Sequence, residues 1–410
     1  MTNSQKLAAL AGVRVLDLSR VLAGPWASQL LGDLGAEVIK IERPGAGDDT
    51  RGWGPPFLKN EAGETTDAAY FLAANRNKKS VAIDIAAPEG AELVRRIAKT
   101  CHVLLENFKV GGLKKYGLDY ESVARVNPAL VYCSITGFGQ TGPDARRAGY
   151  DYMIQAMGGL MSITGQADGA PGAEPMKVGV AVADLFSGMY ASTAILAALR
   201  HAERTGEGQH VDVALFDCQV AMLANQASNY LVSGKAPTRL GNAHPNIAPY
   251  QVFETADGYI VIAVGNDGQF AAFAKAIGAE SLCNDERYKT NRARVAARES
   301  LIAGIAPLMR AKATASWLSI METAGVPAGP INTIDKVFAE PQAQARAMTA
   351  PVARIDAKGV SMVVHPVKYS ATPAVADLPP PTLGSHTAAV LEEFADASEI
   401  ARLRNMGVVG

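Results

Sequence analysis

A chain of 410 residues is too long for one ordinary core, and its formal net charge of −1 gives no general pull toward nucleic acid or an acidic membrane. With 48% hydrophobic and 19% charged residues it has the balance of a globular protein, so any anionic ligand must be met by locally placed cations. Cys101, Cys133, Cys218 and Cys283 form no CxxC and sit in or beside apolar runs, which reads as buried thiols rather than disulfides or metal ligands.

The chain opens on MTNSQKLAALAG, which lacks the basic and apolar regions of a signal peptide. No run of about 18 apolar residues is evident to span a bilayer, and a cytoplasmic protein is expected. Residues 13–18 (VRVLDL) read as a strand, 25–34 (PWASQLLGDL) as a helix opened by Pro25, and 37–41 (EVIKI) as a second strand. This βαβ unit implies a parallel sheet with a right-handed crossover. VAIDI (81–85) continues as a strand and 88–100 as a helix. HVLLENF is a strand running into a loop, as is LVYCSITGFG (130–139). KVGVAVA (177–183) reads as a further strand, followed by a long apolar helix from about 185 to 203.

The alternation predicts a doubly wound, Rossmann-like α/β domain over 1–203. A linker (204–245), a smaller α+β domain (246–330) and an extended Pro-rich linker (331–383) follow. Residues 384–410 return to the large domain, with helix over 385–406. Within the smaller domain GYIVIAVG (258–265) reads as a strand, and 268–278, 293–312 and 314–324 as helices.

Gly137–Gly142 spells GxGxxG after a strand, but Pro143 and the polar DARR segment stand where an apolar helix should begin. It is not a dinucleotide turn, though a glycine-rich loop that brings backbone close to a ligand is retained. There is no GxxxxGK[ST], no GxSxG and no HExxH, which excludes P-loop, serine-elbow and zincin readings. Asp184, at the start of LFSGMYASTAILAALRHAERTG, is the most informative carboxylate. As an N-cap it would stabilise the helix by about 0.5–2 kcal/mol. As a functional group it would be kept ionised by the helix N-terminus, facing the crevice at the strand ends. Position alone leaves both readings open.

The stretches VLDLSRVLAGP, NRNKKSVAIDI, LLENFKVGGLKKYGL, AGYDYMIQAMGGLMSITG, ADLFSGMYASTAILAAL, TGEGQHVDVALFD and PPTLGSHT run collinearly through nearly the whole chain. Together they resemble the family III CoA transferases, the group that contains formyl-CoA transferase and α-methylacyl-CoA racemase. GDDTRGWGPP, CSITGFGQTGP and AHPNIAPYQVF are most similar to the succinyl-CoA–glutarate branch. The resemblance implies an interlocked homodimer that moves CoA between carboxylic acids, with acyl-CoA as substrate and no metal or permanently bound cofactor. It makes Asp184 the nucleophile and places CoA contacts at Val21, Ala23, Arg43, Ile83, Asp84, Asn107, Phe108, Lys109, Lys115, Gly137 and Phe138. A dicarboxylate bound at Asp184 leaves a second carboxylate that must be paired. Arg51, Arg76, Arg147 and His244 are the candidates.

Leu22 stands where formyl-CoA transferase has glutamine, and the loop Gly241–Pro249 is shorter, which argues against oxalate as substrate. Tyr150 replaces the histidine of the racemase branch, and a phenol with a reference pKa near 10 is a poor acid/base for proton exchange. A 2-methylacyl-CoA racemase and a non-catalytic acyl-CoA-binding protein are the alternatives.

Overall fold

The computed structural model describes residues 8–410; residues 1–7, where the sequence argues against a leader, lie outside the described residues. Six short strands rich in Val, Ile and Leu build the central sheet. They are β1 (Arg14–Asp17), β2 (Glu37–Glu42), β3 (Lys78–Ala82), β4 (Val103–Glu106), β5 (Val131–Thr136) and β6 (His210–Ala214). All are parallel, in the order β3-β2-β1-β4-β5-β6. The order reverses between β1 and β4, so the loops leaving these two strands part and open a crevice at the carboxyl edge.

Both faces of the sheet are covered, which is why the strands read as near-continuous apolar runs. On one face Val15, Val38, Val103 and Val131 pack against α1 (Ala23–Asp33) and α4 (Val182–Thr205). On the other, Leu16, Ile39, Val81 and Leu104 pack against α2 (Pro88–Ala98) and the C-terminal helices Thr387–Leu391 and Ala397–Asn405. Pro88 opens α2 where no backbone donor is needed, and Gly206, at φ 75°, ends α4 in the left-handed conformation. Cys101, Cys133 and Cys218 are buried free thiols.

The chain divides into two compact units. The larger comprises the chain up to Gly158 with Gly179–Leu223 and Gln344–Gly410; the smaller comprises Gly159–Val178 and Ala224–Ala343. The smaller unit has a three-stranded antiparallel sheet of Tyr250–Glu254, Tyr259–Ala263 and Ala328–Pro330. Its own core includes Phe253, Ile260, Phe273 and Trp317.

Several sequence expectations need correction. KVGVAVA is not a strand: the edge of β5 is taken by β6, Tyr132 opposite His210, while Val182 and Ala183 already belong to α4 and Val180 is exposed. The expected linker 204–245 holds β6 and helix α5 (Leu215–Met222) of the larger unit, and a further helix, Ala224–Ser233. The stretch 331–383 is not simply extended, because Ile334–Ala339 is helical and Thr349–Pro351 pairs with Ser361–Val363. The helices expected over 293–312 and 385–406 are each broken in two. By length and composition α4 is apolar enough to cross a membrane, which the sequence reading missed; its buried side lies in the core against the sheet.

The contact between α1 and α4 is set by Gly188. A β-carbon there would lie 2.7 Å from the Ala23 carbonyl oxygen and 3.0 Å from Trp26 Cδ1. Alanine is the better helix former by about 1 kcal/mol, yet overpacking a fitted contact costs about 1–3 kcal/mol. Gly188→Ala should therefore lower the urea midpoint for unfolding; an unchanged or raised midpoint would show that the two helices are free to separate.

Candidate active site

The crevice at the carboxyl edge holds a cavity of about 460 Å³. Its walls come from the loops after β1, β4 and β5 and from the start of α4. Arg20, Val21 and Ala23 form one side, and Asn107, Phe108, Lys109 and Lys115 another. Gly137 and Gly149 form a third. A β-carbon on Gly137 would lie 2.5 Å from Gly149 Cα, so these two backbones touch and neither tolerates a side chain. Arg20, Lys109, Lys115 and Arg147 bring positive charge to the lining, and Asp49 pairs with Arg20 at 3.1 Å. Asp184 reaches the cavity from the first turn of α4 and is 9% exposed.

Asp184 is not the cap of its helix. Ala181 occupies the cap position, and the carboxylate that reaches the helix amides belongs to Asp151, the first residue of α3 (Asp151–Met157). Asp151 Oδ1 accepts from Ala183 N at 2.8 Å and from Asp184 N at 3.4 Å, while Oδ2 accepts from Gln155 Nε2 at 2.7 Å. The helix terminus thus spends its free N–H groups on Asp151. Asp184 is pushed up to about 7, first by burial and then by the Asp151 carboxylate, so the expectation of a firmly ionised Asp184 is corrected. Glu106, at the end of β4, is likewise pushed up to about 7 by burial; it accepts from Phe108 N at 2.7 Å and so holds the loop that follows it.

Of the residues singled out from the sequence, Val21, Ala23, Asn107, Phe108, Lys109 and Lys115 converge on the cavity, as do Gly137, Arg147 and Asp184. Phe138 stands behind the wall, its ring 5.1 Å from the Arg147 guanidinium and 5.9 Å from Phe216. Arg43, Ile83 and Asp84 lie outside the lining. Ile83 is in the core, Asp84 Oδ1 accepts from Ala86 N, and Arg43 is exposed after β2.

Two candidates for a substrate carboxylate are excluded because their guanidinium groups are already committed. Arg51 is buried and bonded to Glu42 at 2.7 and 2.9 Å, Asp67 at 2.9 Å and the Pro381 carbonyl at 3.1 Å. Arg76 is buried against Asp33 and donates to the Val363 carbonyl at 2.8 Å. His244 belongs to the smaller unit, where its Nδ1 accepts from Asn246 N at 3.1 Å. Burial, and then Arg298, holds it below the ordinary histidine range, which makes it a weak partner for a carboxylate.

Sequence reasoning missed Arg20, Asp48, Glu106 and the capping role of Asp151. Only Asp151 left a signal, since the GYD motif stands before the ADLFSG helix.

The profile of CoA-transferase family III matches residues 10–387. The succinate–glutarate CoA-transferase of Agrobacterium fabrum is 54% identical over 385 residues, covering 94% of this chain and 95% of the relative. The human succinyl-CoA:glutarate CoA-transferase is 45% identical over 402 residues, covering 98% of this chain and 90% of the relative. A crystal structure of a CAIB/BAIF family protein from Brucella suis superposes with a TM-score of 0.83 at 52% identity, covering 95% of this chain and all of the other.

The buried pair of aspartates can be tested directly. In a carbon-13 titration of aspartate side chains, Asp184 should show a midpoint near 7, and Asp151→Asn, which removes a like charge, should move it to lower pH. An Asp184 midpoint below about 5, within the normal spread for aspartate, would contradict the assignment.

Proposed function

Because the chain belongs to CoA-transferase family III, we propose that it moves CoA from succinyl-CoA to glutarate or a related dicarboxylate, with Asp184 as the covalent carrier. The observation that carries this reading is a buried carboxylate, Asp184, in a cavity whose lining also brings together Arg20, Lys109, Lys115 and Arg147 and the touching backbones of Gly137 and Gly149. The succinate–glutarate specificity of relatives 45% and 54% identical supports the choice of acids.

An oxygen of Asp184 attacks the thioester carbon of succinyl-CoA; the C–S bond breaks and CoA leaves as the thiolate, giving an aspartyl–succinyl anhydride. The thiolate then attacks the Asp184 carbonyl carbon, succinate leaves, and an aspartyl-CoA thioester remains. The acceptor carboxylate attacks that thioester, releasing the thiolate again. Attack of the thiolate on the acceptor's carbonyl carbon forms the new acyl-CoA and frees Asp184. Each step exchanges one carboxylate or thiolate for another, so no net proton moves. Burial leaves the carboxylate poorly hydrated and reactive once ionised, and it keeps water from the anhydride.

Arg20, Lys109 and Lys115 are suited to the CoA phosphates. Arg147 is then the cation available for the acceptor's far carboxylate; its neighbour Asp144, at 3.1 Å, lies on the surface and is readily exchanged. Asp184→Asn and Asp184→Ala should abolish CoA exchange between succinyl-CoA and glutarate with the fold retained, since Asp151 and not Asp184 caps α4. A folded variant with more than about a hundredth of the wild-type rate would remove Asp184 from the mechanism. Butyrate should be a poorer acceptor than glutarate by about 10²-fold in kcat/KM, and Arg147→Ala should narrow that gap. Equal use of the two acids would end the dicarboxylate reading and leave the transferase one.

The assembly we propose is a homodimer. Phe186, Met189 and Tyr190 are each more than 40% exposed along one face of α4, an apolar surface suited to a second copy. Sedimentation at micromolar concentration should give about twice the 43.0 kDa chain mass; a folded monomer would overturn this.

A further inference from the structure

Val21 has φ 72°, in the left-handed region that a β-branched residue rarely enters. It is in the wall of the cavity, one residue after Arg20 and two before α1. Something must hold it there, and the hydrogen bonds identify what does. Val21 N donates to both oxygens of Asp48, at 3.2 and 3.3 Å. Asp48 is buried and also accepts from Lys40 Nζ at 2.9 Å, Thr50 N at 3.0 Å and Thr50 Oγ1 at 2.8 Å. Lys40 is fully buried, and its second bond, at 2.8 Å, goes to the Ser19 carbonyl in the same loop. Burial alone would raise the Asp48 carboxyl, but Lys40 and then Thr50 bring it down to about 2, so it stays charged at any working pH. Behind Asp48, Glu42 Oε2 accepts from Asp48 N at 2.9 Å and is itself held by Arg51.

We infer that the buried Lys40–Asp48 pair is a positioning device that fixes Val21 in the left-handed conformation and so presets residues 20–23 as one wall of the acyl-CoA cavity. Neither residue lines the cavity. Both act through the backbone of the loop after β1, Lys40 on the carbonyl of Ser19 and Asp48 on the amide of Val21. From the opposite side Asn107 brackets Arg20, accepting from its N–H at 2.9 Å and donating to its carbonyl at 2.6 Å. Three successive residues are thereby held from two sides, which leaves the loop little freedom to relax. Arg51, which cannot bind substrate, has its place here as the support of Glu42 beneath Asp48.

The inference rests on the cavity being the CoA site, and the experiment separates the two. Coenzyme A binding is measured by titration calorimetry on purified, folded variants. Asp48→Asn keeps an acceptor oxygen but loses the charge facing Lys40, and should weaken CoA about tenfold or more. In turnover assays the loss should fall on KM for the acyl-CoA rather than on kcat. Adding Val21→Gly to Asp48→Asn should recover most of the lost affinity, because glycine adopts φ 72° without a clamp. A merely structural role predicts the opposite, since a second loosening substitution would deepen the defect.

A folded Asp48→Asn with wild-type affinity, or a double variant weaker than the single one, overturns the inference. Should Asp48→Asn not fold, Val21→Gly alone decides: relief of strain raises the unfolding midpoint by about 1–2 °C, whereas an unstrained valine gives a fall. Lys109→Ala combined with Lys115→Ala reports on the cavity itself. Unchanged CoA affinity there would remove the site assignment, and weakened affinity beside an unaffected Asp48→Asn would remove only the clamp.

Discussion

The larger unit is organised around charges buried under the carboxyl edge of its sheet. Lys40, Asp48, Glu42 and Arg51 form one continuous set, and Lys78 with Asp17 form a second pair beside it. Such pairs add little net stability, because the cost of removing ions from water offsets most of their attraction. What they provide is direction: each ion has one arrangement that satisfies all its bonds, and a hydrophobic replacement would have many. The loops at the switch point therefore rest on a base with one satisfied arrangement.

The same economy of partners governs the start of α4. A helix N-terminus offers a fixed number of free amides, and here a carboxylate from another segment, Asp151, takes them. Asp184 then sits beside a satisfied negative charge in a buried place and is pushed up to about 7. A carboxylate stabilised by the helix would be a placid anion. One deprived of that stabilisation is a better nucleophile when ionised, and it is ionised in a substantial fraction of molecules near neutral pH.

The cationic residues divide by the same accounting of partners. Arg51 and Arg76 looked like ligand groups in the sequence because each stands in a polar turn. In the fold each meets a buried carboxylate whose own desolvation demands it, so neither has a donor to spare. Arg147, whose one ion-pair partner among the described residues is the surface residue Asp144, is not committed to a buried carboxylate. Residue type and local context are identical signals in the two cases, and only the burial of the partner tells them apart.

The sequence by itself determined the sheet's parallel core, the βαβ opening and the family, because these depend on local periodicity and collinear motifs. It also pointed to Asp184 and to part of the cavity wall, since those residues lie in contiguous motifs at strand ends. The tertiary structure alone decided that β6 and not KVGVAVA fills the sheet edge, because a strand is chosen by the partner it can pair with. It alone decided that Asp151 caps the helix of Asp184, and that Asp48 grips Val21 across the loop. Those bonds join residues far apart in the chain, and a hydrogen bond depends on distance in space, which no local pattern of residues records.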